Sequence, residues 1–205
     1  MVNDDWIGAR GGLLPLGYPF GNCKINYYRL TTGAAAANIF LGHPLDADAN
    51  GRVAAQVPGS NNLLIGPALG FLDTNLAAPP SGMLTTSAAP YLPGNTDAYV
   101  AVCDDPNQIF VMQEDTGGTA LVLTDNFTNV DWIFRSTSGS TTTGYSTAEI
   151  NRDGVNTGTG GALMLVGPTE YMNQDATRNT PGNYCKWNVR IFNHRLAAKG
   201  QGTAV

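Results

Sequence analysis

Four carboxylates, Asp104, Asp105, Glu114 and Asp115, fall within AYVAVCDDPNQIFVMQED, residues 98–115. Carboxylates at that density could do acid–base chemistry as a pair or hold a hard cation through oxygen. Their spacing argues against both. Asp105-Pro106-Asn107-Gln108 carries Asp, Pro and Asn at the first three positions of a type I turn. Asp104 and Asp105 therefore sit at a turn, where Asp caps backbone N–H groups. Glu114 and Asp115 lie at the far end of the returning run, roughly 20 Å away at about 3.4 Å per residue. The stretch reads as a β-hairpin, and the two acidic pairs share no ligand unless the sheet closes on itself.

DADANGRV (46–53) imitates the opening of a calcium-binding loop, with Asp46, Asp48 and Asn50 at alternate positions and Gly51 after them. The bidentate Glu such a loop needs at its twelfth position is Val57 here, and strands flank it in place of helices. Asn50-Gly51 is also the strongest two-residue hairpin signal. The turn is the better reading, and no metal or cofactor is expected.

The two histidines, His43 and His194, stand alone in strand-like contexts, without an HExxH, a Cys/His cluster or a GxSxG elbow. Each reads as a polar residue satisfied at a strand end. Glu114, Glu149 and Glu170 could form a glycosidase-type pair only if folding brings two of them together. The glycines of GVNTGTGG (154–161) follow no strand–loop–helix pattern, so they read as a flexible loop. The sequence therefore predicts no enzyme. Cys23, Cys103 and Cys185 lie roughly eighty residues apart with no CxxC, and their odd number speaks against a disulfide framework. They are expected as reduced core residues. Trp132 and Phe134 alternate along one run and Trp187 lies in the last. Core packing accounts for them, although their Asp and Asn neighbours keep open a glycan-binding platform.

The elements around these residues are β-rich. Period-2 runs appear at 23–30, 38–45, 51–57, 63–72, 98–103, 108–114, 120–125, 130–135, 146–150, 162–167 and 185–194, with turn residues between them. They predict an all-β domain, a β-barrel or β-sandwich, over 23–196. A long Pro-rich loop at 73–97 interrupts it, and residues 197–205 form a flexible tail. Residues 1–22 show no regular pattern and read as an extended arm. Its Trp6, Leu13, Leu14, Tyr18 and Phe20 must be buried somewhere, on this chain or on a neighbour.

Charged residues make up only 13% of the chain, about half the usual share, and the net charge is −5. The 11 basic residues form no cluster, which excludes a phosphate-tracking nucleic-acid surface and a basic membrane surface. No apolar run is long enough for a transmembrane helix, and MVNDDWIGARGG lacks the features of a signal peptide. Synthesis in the cytoplasm without an export signal is the expectation.

Several fragments together are similar to one group of proteins: DANGRV, IGPALGF, YVAVCDDPNQIFVMQEDTGG, TGYSTAEI and KWNVRIFNHR. They resemble virion structural proteins of tailed bacteriophages, and more closely the capsid decoration (head-stabilising, or cement) proteins. The resemblance runs from about Gly33 to Arg195 and leaves residues 1–22 and 73–97 without a counterpart. It implies a non-enzymatic β-rich protein on the head exterior, a homotrimer bound to the major capsid protein, with no cofactor. On that reading Trp6, Leu13, Leu14, Tyr18 and Phe20 make the inter-subunit or capsid contact. The alternative is a receptor- or glycan-binding β module of a tail fibre or surface protein.

Overall fold

The computed structural model describes residues 12–16, 23–30, 37–48, 50–59, 62–72, 90–156, 160–170 and 178–197. Within them the protein is all-β, with eleven strands in two antiparallel sheets. The strands are β1 (Leu14–Pro15), β2 (Ile25–Arg29), β3 (Pro44–Ala47), β4 (Val53–Ala55), β5 (Gly66–Leu72) and β6 (Tyr99–Cys103). They continue with β7 (Ile109–Gln113), β8 (Asn129–Gly139), β9 (Ser146–Asn156), β10 (Leu163–Pro168) and β11 (Lys186–Ile191). The six-stranded sheet has the order β1-β7-β11-β10-β8-β9, and the five-stranded sheet β2-β6-β5-β3-β4.

Alternation along the strands fills two cores. Phe110 and Met112 of β7 face inward with Trp187, Val189 and Ile191 of β11, and with Val130, Trp132, Ala148, Ile150, Leu163 and Leu165. Val100 and Val102 of β6 face a second core, which holds Phe71, Leu45, Val53, Ile39 and Leu92. Cys103, one residue on from Val102, turns to the first core, as the two-residue period of a strand requires. The middle of the five-stranded sheet is thus buried on both faces.

Each sheet curls without closing. A single parallel bridge, Glu114↔Ile150, brings β9 back to β7, and another, Leu30↔Val53, brings the two ends of the five-stranded sheet together. Residues 12–16 occupy the seam of the larger sheet. Gly12 N donates to Ala148 O of β9 at 3.2 Å, Leu14 and Pro15 pair with Val111 and Phe110 of β7, and Leu16 N donates to Ile109 O at 2.9 Å. Only glycine fits at position 12, where φ is +95° and a Cβ would lie 2.4 Å from Gly42 O.

The structure departs from several expectations. The turn at Asp105–Gln108 forms, with Gln108 N donating to Asp105 O at 3.0 Å and Asn107 N to Asp105 Oδ1 at 2.8 Å. It does not close a hairpin, because β6 is already flanked by β2 and β5 while β7 pairs with β1 and β11. The turn carries the chain from one sheet to the other. The run 120–125 is no strand. A 3-10 turn spans Leu123–Asp125, and the Asp125 carboxylate accepts from Val122 N at 2.8 Å. Cys23 and Cys103 are joined in a disulfide rather than reduced. Antiparallel β2 and β6 set Ile25 opposite Cys103, which brings the two cysteine Cα atoms to 5.9 Å. Cys185 is a buried free thiol. Of the long loop, residues 73–89 lie outside the described residues, and Leu92 is core, paired with Ile39. The tail beyond Ala197 also lies outside them.

Candidate functional site

The acidic residues of the 98–115 stretch have structural partners, and these lie in different places. Asp104 is buried at the end of β6, where its Oδ2 accepts from Asn26 Nδ2 at 2.7 Å and from the Tyr28 hydroxyl. Burial, with the Asp104 hydrogen bond adding to it, pushes the Tyr28 phenol up to about 12. Glu114 is fully buried and its Oε2 accepts from Trp187 Nε1 at 2.9 Å. Burial raises its carboxyl to about 7 against the opposing pull of the Trp187 donor and the Arg152 charge. Asp115 Oδ1 accepts from Arg152 N at 3.3 Å, and burial raises its carboxyl as well.

The three glutamates do not converge. Gln113 and Glu114 are consecutive on the β7 run, so their side chains leave opposite faces. Glu114 points into the core at Trp187, whereas Gln113 Nε2 donates to Glu149 Oε1 at 3.0 Å on the other side. Glu170 lies apart, in a surface cleft of about 490 Å³ lined by Pro168, Thr169, Arg178 and Asn179.

The calcium-loop residues build a hairpin turn. Asp48 Oδ1 accepts from Asn50 N at 2.8 Å and from Arg52 N at 2.9 Å. Asp46 is held by Arg195, whose Nε and Nη2 reach its two oxygens at 2.9 and 2.5 Å. Among the described residues no group of three or more His, Cys, Asp or Glu side chains could hold a metal ion. Of the histidines, His194 Nδ1 accepts from Leu196 N at 3.0 Å, while neither nitrogen of buried His43 has a hydrogen-bond partner.

The aromatic residues that would build a glycan platform are inside. Trp132 and Trp187 are fully buried, and Trp132 packs edge-on against Phe134 at 5.1 Å. The expected contact residues divide in a similar way. Trp6, Tyr18 and Phe20 lie outside the described residues. Leu13 and Leu14 are 0% and 6% exposed, Leu13 in the core of the larger sheet. Both are buried within their own chain, where they supply a strand and an apolar plug to the seam.

A feature missed in the sequence stands between β7 and β8. Val122, Leu123 and Phe127 are exposed to 48%, 59% and 72% within six residues. Their backbone is well tied. Asp125 N donates to Val122 O at 2.9 Å, Phe127 N to Leu165 O at 2.9 Å, Leu165 N to Thr128 O at 3.0 Å, and Thr128 Oγ1 to Asp125 O at 2.6 Å. Phe127 holds φ at +66°, a left-handed conformation costly for a bulky residue. Phe127 is thus both strained and exposed, on a loop held by four hydrogen bonds. The signal was Asp125-Asn126, turn chemistry inside a run that otherwise alternates like a strand.

These features define the class: an all-β protein of two curled antiparallel sheets, whose surface carries an apolar knob on a hydrogen-bonded loop. Comparison with known families, curated proteins and solved structures finds no match for the chain.

Proposed function

We propose that this chain is a non-enzymatic virion structural protein that binds the outside of a tailed-phage head and stabilises its capsid lattice. Its partners on this reading are the major capsid protein and two further copies of itself. The observation that carries a binding role is the Val122–Leu123–Phe127 knob, with a strained and 72% exposed phenylalanine on a hydrogen-bonded loop. Aromatic anchors of this kind dominate protein interfaces. The resemblance of DANGRV, YVAVCDDPNQIFVMQEDTGG and KWNVRIFNHR to decoration proteins supplies the class of partner. The sparse charge, 13% of residues, suits a surface that packs against neighbours.

The mechanism is mechanical. A site present only in the expanded shell makes binding oppose disassembly, and symmetry repeats each small contribution over the lattice. The rival reading, a glycan- or receptor-binding module, loses its aromatic platform with Trp132 and Trp187 in the core.

The test is a titration of undecorated heads with wild-type protein and with Phe127→Ala. Wild-type saturation at a symmetry-related copy number, with resistance to heat or osmotic shock raised, is expected. Loss of the ring should weaken attachment by roughly 2 kcal/mol, about thirtyfold. Failure of the wild type to bind would overturn the capsid reading. Equal binding by the variant would overturn only the role of the knob.

A further inference from the structure

Residues 39–43 join the two sheets. Leu41 N donates to Gly144 O at 2.8 Å, and Leu41 O accepts from Ser146 N of β9 at 2.9 Å. Gly42 N donates to Ala68 O of β5 at 2.8 Å, and Gly42 O accepts from Leu13 N at 2.9 Å. Phe40 rests on Gly139 of β8, where a Cβ would lie 2.2 Å from its ring. One short segment is thus fastened to the five-stranded sheet on one side and to the seam and β8–β9 on the other.

His43 ends this segment. Its ring stacks on Phe40 with centroids 6.5 Å apart and meets Phe134 of β8 edge-on at 5.1 Å. It is 1% exposed, and neither Nδ1 nor Nε2 makes a well-formed hydrogen bond, the Gln56 backbone being, among the described residues, the one polar group near enough to act on the ring. A neutral imidazole carries one donor and one acceptor, and burying both unpaired is costly. A phenyl ring would fill the aromatic niche without that cost. A destabilising, titratable ring thus sits at the joint itself.

We propose that His43 is an acid-sensitive latch between the two sheets. Neutral, it packs as an aromatic wedge; protonated, it becomes a buried cation with no counter-charge, and the joint at residues 39–43 opens to hydrate it. The titratable and charged side chains on the surrounding elements are the phenols Tyr91 and Tyr145, Asp46 of β3, Asp131 and Arg135 of β8, and Glu149, Arg152 and Asp153 of β9. Asp46 is held by Arg195, Asp131 Oδ1 accepts from Ala162 N, and Arg135 donates to the Tyr184 hydroxyl. None of them sets the titration of His43, which burial lowers from 6.5 to about 4, with the Gln56 backbone opposing. A base depressed in the folded state contributes stability that is present above 6.5 and lost as pH falls toward 4. The latch acts whatever the protein binds.

The experiment is amide hydrogen exchange on the full chain at pH 7 and pH 4, comparing wild type with His43→Phe at each pH so that intrinsic exchange cancels. At pH 4 the Leu41, Gly42 and Ser146 amides of the wild type should exchange about 100-fold faster relative to the variant than they do at pH 7. The amides between β7 and β11 should show no such difference. Identical pH profiles in both proteins would overturn the latch. So would a pH-dependent difference spread evenly over both sheets. Should His43→Phe fail to fold, His43→Gln serves in its place. Wild-type imidazole proton signals give a reading without any His43 variant, since the chain has only two histidines and His194→Gln assigns them. A His43 signal titrating near 6.5 with the joint amides still protected would also overturn the proposal.

Discussion

Trp187 Nε1 donates a 2.9 Å hydrogen bond to Glu114 Oε2 inside the core of the larger sheet, where both residues are fully inaccessible. The other carboxylate oxygen, Oε1, has no hydrogen-bond partner. Desolvation favours the protonated form of a carboxyl buried in this way and raises it from 4.5 to about 7.

The sign of the consequence follows from linkage. An acid raised in the folded state contributes stability that is complete below 4.5 and is lost as pH rises through about 7. Glu114→Gln keeps an oxygen for Trp187 and cannot ionise. The variant should be more stable than wild type at pH 8 by roughly 1–3 kcal/mol, and close to it at pH 4. Urea unfolding followed by tryptophan fluorescence at the two pH values checks this; a difference independent of pH would refute it.

The Cys23–Cys103 bond closes a span of 80 residues. Reduction, or Cys103→Ser, should lower stability by roughly 2–4 kcal/mol, chiefly by freeing the unfolded chain. Thiol titration of the denatured, unreduced protein should find one reactive group, from Cys185. Three would mean that the bond does not form.

Leu13 plugs the seam of the larger sheet at 0% exposure. Leu13→Ala should cost roughly 2–5 kcal/mol through the cavity it leaves. Deleting residues 1–20 would remove β1 together with this side chain, and should destabilise the fold rather than merely weaken attachment. Deleting residues 1–11 spares both. Thermal melts of the two truncations separate the cases, and equal melting temperatures would contradict a structural role for residues 12–16.

Phe127 pays for its position twice, in strain and in exposure. Phe127→Gly should leave stability unchanged or raise it by up to about 1 kcal/mol, since glycine adopts φ near +66° without a Cβ clash. Binding to heads should fall with the same change. A melting temperature lowered by several degrees would instead make the ring part of the fold's own packing.

The sequence alone carried the all-β class and most strand positions. Alternation in 98–103, 108–114 and 185–194, punctuated by Asp105-Pro106-Asn107 and Asn50-Gly51, is a local property that needs no knowledge of the rest of the chain. It also read DADANGRV as a turn, and Asp48 caps that turn with its own carboxylate. What it could not carry is pairing. A two-residue period says which side chains share a face and not which strand lies alongside, so β6 and β7 looked like a hairpin and belong to different sheets.

Everything downstream of pairing was likewise decided only by tertiary structure. Cys23 meets Cys103 because β2 lies on β6; Leu13 is core because two edges of a curled sheet leave a seam. His43 and Glu114 are perturbed by burial that distant segments impose, and Phe127 is exposed because none of the described strands covers it. Local pattern determines conformation residue by residue, whereas burial and its electrostatic consequences belong to contacts between segments far apart in the chain.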